Sequence, residues 1–206
     1  MNDTIRDIIS QLETSEKNNE RVLLVIDGRC GAGKTTLASR ISEKFTCNVF
    51  HMDDFYLPAA EQTDERMKEP GGNISFGRFM SEIIKPLENG TDIEYRPFVC
   101  HTQDYGDTQI MPARNINIIE GTYSCHPRLR GAYERLCGHE AATVSMKLIR
   151  IFLDVDGKTQ IERIRTRVGE QRLKMFEEKW IPREEEYFKL CSVREYCKNV
   201  IWEWEV

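Results

Sequence analysis

Apolar positions along this chain follow two periods, and each switch between them marks a change of element. Ile5, Ile8, Ile9 and Leu12 recur at helical spacing, which predicts an amphipathic helix over 4–16 with Asp3 or Thr4 as its cap. VLLVI (22–26) is an unbroken apolar run of strand length, the pattern of a strand buried on both faces. It leads into DGRCGAGKTT and a helical stretch through Lys44; NVFHM (48–52) then predicts a second strand ending at Asp53-Asp54-Phe55-Tyr56. Residues 57–74 hold Pro58, Pro70, Gly71 and Gly72 among charges and read as a long loop, a feature that is often functional inside compact domains. Phe76, Phe79, Met80, Ile83, Ile84 and Leu87 repeat every 3.6 residues, a helix that Pro86 helps to end. Residues 91–112 are strand-like around a Tyr-Gly-Asp turn, which predicts a hairpin.

INIIE (116–120) and KLIRIFLDV (147–155) are further buried strands. Ile161, Ile164 and Val168 mark another helix, 171–191 reads as helix in two pieces interrupted by Pro182, and NVIWEW (199–204) closes as a last strand. Strands alternating with helices imply an α/β fold, a mainly parallel sheet covered on both faces. No repeat or low-complexity tract divides the chain. A single domain over 1–206 is expected: an N-terminal helix in 1–20, a core over 21–168, and C-terminal helices with the last strand over 169–206.

Composition narrows the function. The 206 residues carry 29 Lys and Arg against 34 Asp and Glu, a formal charge of −5, which argues against a general nucleic-acid binder with its basic face. Mean hydropathy is −0.53, and no apolar run approaches the ~20 residues of a membrane span. The start, MNDTIRDIISQLETSEKNNE, has neither a basic beginning nor an apolar signal core, so a cytoplasmic location is expected. Seven cysteines without a CxxC read as reduced thiols, and Cys100-His101 and Cys125-His126 fit no standard zinc spacing.

The chemistry enters at Gly28-x-x-x-x-Gly33-Lys34-Thr35, which matches GxxxxGK[ST] between a predicted strand and a predicted helix. Glycines let successive N–H groups point at phosphate oxygens, and the helix N-terminus adds a favourable dipole. The nucleotide-binding stretch is thus Gly28, Arg29, Cys30, Gly31, Ala32, Gly33, Lys34, Thr35 and Thr36, with Lys34 reaching terminal phosphates and the Thr35 hydroxyl a ligand for Mg²⁺. Glu120 ends the strand INIIE at the carboxyl edge of the sheet, where a carboxylate can hold Mg²⁺ directly or through water. Asp53 and Asp54 share that edge. One of them is placed to accept a proton from an attacking hydroxyl, the other to cap a helix. Arg163 and Arg167 are four apart on one helical face, suited to neutralising a transferring phosphoryl group or to lying against solvent. Asp154-Val155-Asp156-Gly157 imitates a GTPase DxxG without the NKxD that should follow, and His139-Glu140 lacks the second histidine of a zincin.

GRCGAGKTT, MDDFY (52–56), Phe98-Val99-Cys100-His101 and IIEGTYS (118–124), in this order, resemble the uridine kinase-like branch of P-loop kinases, which includes uridine–cytidine kinases, phosphoribulokinase and nicotinamide riboside kinase. The resemblance covers about 20–168. The tail, with Phe176, Trp180-Ile181-Pro182 and Glu186-Tyr187-Phe188, is similar to a bacterial subgroup. It implies ATP and Mg²⁺ as cofactors, a 2-3-1-4-5 sheet, Asp53 as general base, and a lid helix bearing Arg163 and Arg167. It further implies Tyr95, Phe98 and His101 as hairpin residues that read a base, with Tyr56 and Tyr123 shaping the acceptor pocket. The reaction implied is transfer of the ATP γ-phosphate to a hydroxyl of a small nucleoside-like molecule, uridine or cytidine first. One departure is visible: EPGGNISFGRF (69–79) holds no acid between Glu69 and Glu82, where the family places a ribose-binding aspartate, and offers Asn73 instead. The alternatives are the same reaction on nicotinamide riboside, pantothenate, glycerate or a sugar, a non-catalytic ATP-binding regulator, and a plain NTPase. Trp180, Trp202 and Trp204 either pack the C-terminal piece or meet a second copy in a homo-oligomer.

Overall fold

A computed structural model describes residues 3–138 and 145–202. The chain opens on α1 (Asp3–Lys17), whose Ile5, Ile8 and Leu12 face inward, and enters the sheet at β1 (Arg21–Gly28). Then come α2 (Lys34–Ser42), β2 (Cys47–His51) and a 3₁₀ turn over Met52–Phe55. Beyond the helical stretch and hairpin described below lie β7 (Ile116–Glu120), α5 (Pro127–Cys137), β8 (Met146–Asp154) and α6 (Gly157–Val168). The chain closes with α7 (Glu170–Met175), α8 (Ile181–Leu190), α9 (Val193–Cys197) and β9 (Asn199–Trp202). His139-Glu140 and Trp204 lie outside the described residues.

The five-stranded sheet runs β2-β7-β1-β8-β9 with every neighbouring pair parallel. Counted along these five strands the order is 2-3-1-4-5, as the resemblance implies. Alternation along β1 serves two cores. Leu23 and Val25 join Phe50, Ile119, Phe152, Tyr187 and Phe188 on one face; Val22, Leu24 and Ile26 join α1 and α2 on the other. Each fully buried aliphatic or aromatic side chain contributes about 1.5–3 kcal/mol, so both layers are needed to hold the strands together. Register sets the functional edge: Glu120 of β7 lies opposite Ile26 of β1 and His51 of β2.

Two proline-containing helical stretches differ from expectation in the same way. α3 (Phe76–Phe79) continues through a π turn at Met80–Ile84 into α4 (Lys85–Asn89), and Gly90, with φ 67°, ends it. Pro86 therefore does not stop the helix. The Lys85 N–H reaches back five residues to Met80, and this wider turn eases the clash a proline ring makes with the preceding turn. In the tail the break falls at the π turn Phe176–Trp180, where the Ile181 N–H again reaches back to Phe176, and Pro182 sits inside the first turn of α8.

The expected hairpin is present in two short ladders, β3 (Ile93–Tyr95) with β6 (Gln109–Met111) and β4 (Phe98–Val99) with β5 (Asp104–Tyr105). Its reversal lies at 100–103 rather than at Tyr105-Gly106-Asp107. Gln103 takes φ 56° there, and the Thr102 and Gln103 N–H groups both donate to Val99 O. The loop 57–74 holds two 3₁₀ turns and is closed by a bridge between Tyr56 and Ile74. Among the described residues no helix is long and apolar enough to cross a membrane.

Candidate active site

The phosphate loop begins where β1 must pass very close to β8. A Cβ on Gly28 (φ 135°) would lie 2.0 Å from Leu153 O, so no other residue fits without parting the strands. Gly31 and Gly33 then take φ 76° and 92°, the left-handed values that curl the loop into α2. The first N–H groups of α2 have no partner within the helix, and its dipole favours an anion there. Lys34 is nearly buried; its Nζ donates to Gly28 O at 2.7 Å and Arg29 O at 2.9 Å, and lies 3.4 Å from Thr122 Oγ1.

Thr35 and Glu120, 85 residues apart, meet at the sheet edge: Thr35 Oγ1 donates to Glu120 Oε1 at 3.0 Å. The same oxygen lies 2.5 Å from His51 Nδ1. The bond to Glu120, and the nearby negative charge, push the His51 imidazole above its usual range despite partial burial. Two donors on one oxygen fix the carboxylate's orientation. Hydroxyl and carboxylate together are hard oxygen donors of the type Mg²⁺ takes.

The two adjacent aspartates have separate surroundings. Asp53 is exposed on the wall of a cavity of about 1070 Å³ and accepts a hydrogen bond from the Tyr56 hydroxyl at 2.8 Å. Asp54 turns toward the hairpin, where the Tyr95 hydroxyl lies 3.3 Å from its Oδ2. Burial raises the Asp54 carboxyl above the ordinary range.

That cavity runs from the phosphate loop past Asp53, Tyr56, Asn73, Glu120 and Tyr123 to α6 and the π turn beyond it. Arg163 and Arg167 both line it from α6. An Arg163 guanidinium N–H donates to Gly31 O at 3.3 Å, and Arg167 lies 5.7 Å from the Phe176 ring centre. Tyr123 holds φ 80°, a backbone strain of about 1–3 kcal/mol of the kind that persists at functional sites.

The remaining hairpin residues stand elsewhere. Tyr95 is buried with its ring stacked on Phe55 at 5.6 Å, and Phe98 is buried edge-on to Tyr56 at 6.2 Å. His101 is exposed in the reversal. The hairpin's contribution to the cavity wall is Cys100 and Gln103. Arg29 turns away from the cavity to pair with Glu185 and, at 2.8 Å, with buried Asp154, which Arg194 also reaches at 2.5 Å. The DxxG imitation is thus an ion-pair anchor and a helix cap, since Asp156 accepts from the Lys158 and Thr159 N–H groups at the start of α6.

Sequence reasoning missed His51, whose signal was its place at the end of a predicted strand beside two acids. It also missed Asp27, buried under the loop, which accepts from the Cys125 N–H and the Tyr187 hydroxyl, each at 2.8 Å. No local pattern announces that second contact, which spans 160 residues.

No protein-family model and no curated protein matches this chain. Solved structures do. A possible uridine kinase from Bacillus stearothermophilus is 16% identical with a TM-score of 0.65, the match covering 96% of this chain and 99% of that one. The YGR205w protein is 14% identical at a TM-score of 0.59, covering 93% and 86%. YFH7 from Saccharomyces cerevisiae, a candidate P-loop containing kinase with a circular permutation, is 14% identical at a TM-score of 0.57, covering 98% and 99%. At these identities the likeness is one of architecture, and the chain has the fold of uridine kinase-like P-loop kinases.

Proposed function

We propose that this protein is an ATP-dependent kinase that transfers the γ-phosphate to a hydroxyl of a small nucleoside-like acceptor, with uridine and cytidine first among candidates. The observation that carries the reading is the convergence on one cavity of Lys34, the Thr35–Glu120 pair, Asp53 and two arginines of α6. The similarity in fold to a possible uridine kinase from Bacillus stearothermophilus supports it.

The roles follow from chemistry. The loop N–H groups and Lys34 bind the phosphates, and Thr35 and Glu120 would hold Mg²⁺, which when bound neutralises charge on the phosphate oxygens. Asp53 accepts the proton of the acceptor hydroxyl as that oxygen attacks in line, while the Tyr56 hydroxyl holds the carboxylate in place. Arg163 and Arg167 offset the charge that builds on the transferring group. In this reading the acceptor is a small molecule rather than a nucleic acid, and the reduced cysteines suit the cytoplasm.

A second reading, the same transfer to another small alcohol, is favoured by the acceptor side. Tyr95, Phe98 and His101 are off the cavity wall, and buried Asn73 stands on it where the resemblance leads one to expect an acid. Specificity rests on few buried hydrogen bonds, so these exchanges can change the acceptor while preserving the reaction.

The test is a mass-spectrometric screen with Mg·ATP or Mg·GTP over uridine, cytidine, nicotinamide riboside, pantothenate, glycerate and sugars, with ADP or GDP release read in parallel. A phosphorylated pyrimidine nucleoside is the expected product. A product from another panel member replaces the acceptor and keeps the mechanism; nucleoside diphosphate release with no product would make the protein a hydrolase, and inertness to every combination would overturn the kinase reading.

A further inference from the structure

The phosphate loop is held by a residue that no motif marks and that reaches it at the cavity wall. Glu184, in the first turn of α8, is 3% exposed and lies 154 residues from the loop it touches. Its Oε2 accepts from the Cys30 N–H at 3.0 Å, and its Oε1 lies 3.3 Å from Cys30 Sγ. Gln160 of α6 closes the cluster, its Nε2 donating to Glu184 Oε1 at 2.6 Å and to Cys30 O at 3.1 Å. Burial raises the Glu184 carboxyl above its ordinary range, while Lys34 and these hydrogen bonds draw it back. A backbone N–H and an amide NH₂ can only donate, so the cluster is built for the ionised carboxylate.

A carboxylate is costly to bury unless it is fully bonded. Packing does not call for one here, because Tyr187 and Phe188 of the same helix fill the core. The loop does need a brace: Gly31 and Gly33 curl it, and glycine holds no backbone conformation by itself. We propose that Glu184, with Gln160, is a positioning residue that fixes the first half of the phosphate loop, so that the loop N–H groups and Lys34 converge on the phosphates of the donor. This inference rests on the nucleotide-binding reading above. Gln160 lies on the helix that carries Arg163 and Arg167, so the same cluster sets the loop in register with the arginines.

The test uses the full chain with Glu184→Ala, the near-isosteric Glu184→Gln, and Glu186→Gln as an exposed neighbour. Two readouts are taken: amide hydrogen exchange of 28–35 without nucleotide, and equilibrium binding of Mg·ADP. Loss of bonds to a charged group predicts faster loop exchange and about tenfold or weaker Mg·ADP binding for Glu184→Ala. Glu184→Gln retains one acceptor oxygen and should fall between it and the wild type, with Glu186→Gln unchanged. Exchange over 21–27 and β7 should match the wild type in all variants, which separates bracing from global unfolding. Unchanged loop exchange and binding in Glu184→Ala and Glu184→Gln would overturn the proposal. Faster loop exchange with no Mg·ADP binding by the wild type would overturn the nucleotide reading and leave Glu184 as a brace of the loop.

Discussion

Asp53 and Asp54 share a side-chain chemistry and a position after β2, yet their surroundings give them different work. The 3₁₀ turn at Met52–Phe55 sends Asp53 to the cavity and Asp54 toward Tyr95. If Asp53 is the proton acceptor, Asp53→Asn should lower kcat by about 10²–10⁴-fold while Mg·ADP affinity stays near the wild-type value. Asp54→Asn should retain most turnover, since the Tyr95 hydroxyl keeps an acceptor in the amide oxygen. Steady-state kinetics with the acceptor found in the screen check both, and near-normal turnover in Asp53→Asn would transfer the role to Asp54. The sequence offered the pair without a choice, because a local pattern specifies residue order and not the direction of a short turn.

Whole elements deliver side chains as sets. α6 presents Arg163 and Arg167 to the cavity, while Arg165, between them, pairs with Glu170 at 2.9 Å outside it. Helical spacing predicted the shared face, and the packing of α6 over the loop placed it on the cavity wall, with Arg163 half-buried and Arg167 exposed at the rim. Arg163→Ala is therefore expected to reduce kcat by about 10–100-fold with Mg·ADP affinity changed by less than about threefold. Parallel kinetic and binding titrations check this, and equal turnover would return Arg163 to a structural role. The π turns ahead of Pro86 and Pro182 carry the same lesson. Proline in a helical pattern marks a local problem, and a wider turn upstream solves it without ending the helix.

Across the whole molecule, the C-terminal tail is part of the site's foundation. Tyr187 donates to Asp27 at 2.8 Å at the end of β1, directly before the phosphate loop, and Tyr187, Phe188, Val193 and Cys197 complete one face of the core. Burial raises the Asp27 carboxyl and the bonds from Cys125, Tyr187 and Gly28 lower it. Tyr187→Phe should cost about 1–3 kcal/mol in urea unfolding at neutral pH, because a buried carboxylate loses a donor. Losing that donor raises the folded-state pKa of Asp27 further, so the penalty should shrink as pH falls through that value and the carboxyl becomes neutral. A penalty independent of pH would show that the lost bond acts without Asp27. The sequence alone determined the five strands, the helices before β2 and after β8, the phosphate loop and the acidic sheet edge, because each is encoded by near neighbours: period, apolar run length, or contiguous glycines before a lysine; α5, between β7 and β8, was not read from it. The fold decided that Tyr95 and Phe98 pack inward, that His51 shares an oxygen with Thr35, and that Glu184 bonds Cys30 in the loop and Tyr187 bonds Asp27 just before it, each across more than 150 residues. Such contacts depend on how finished elements pack, and no local stretch of chain holds both partners.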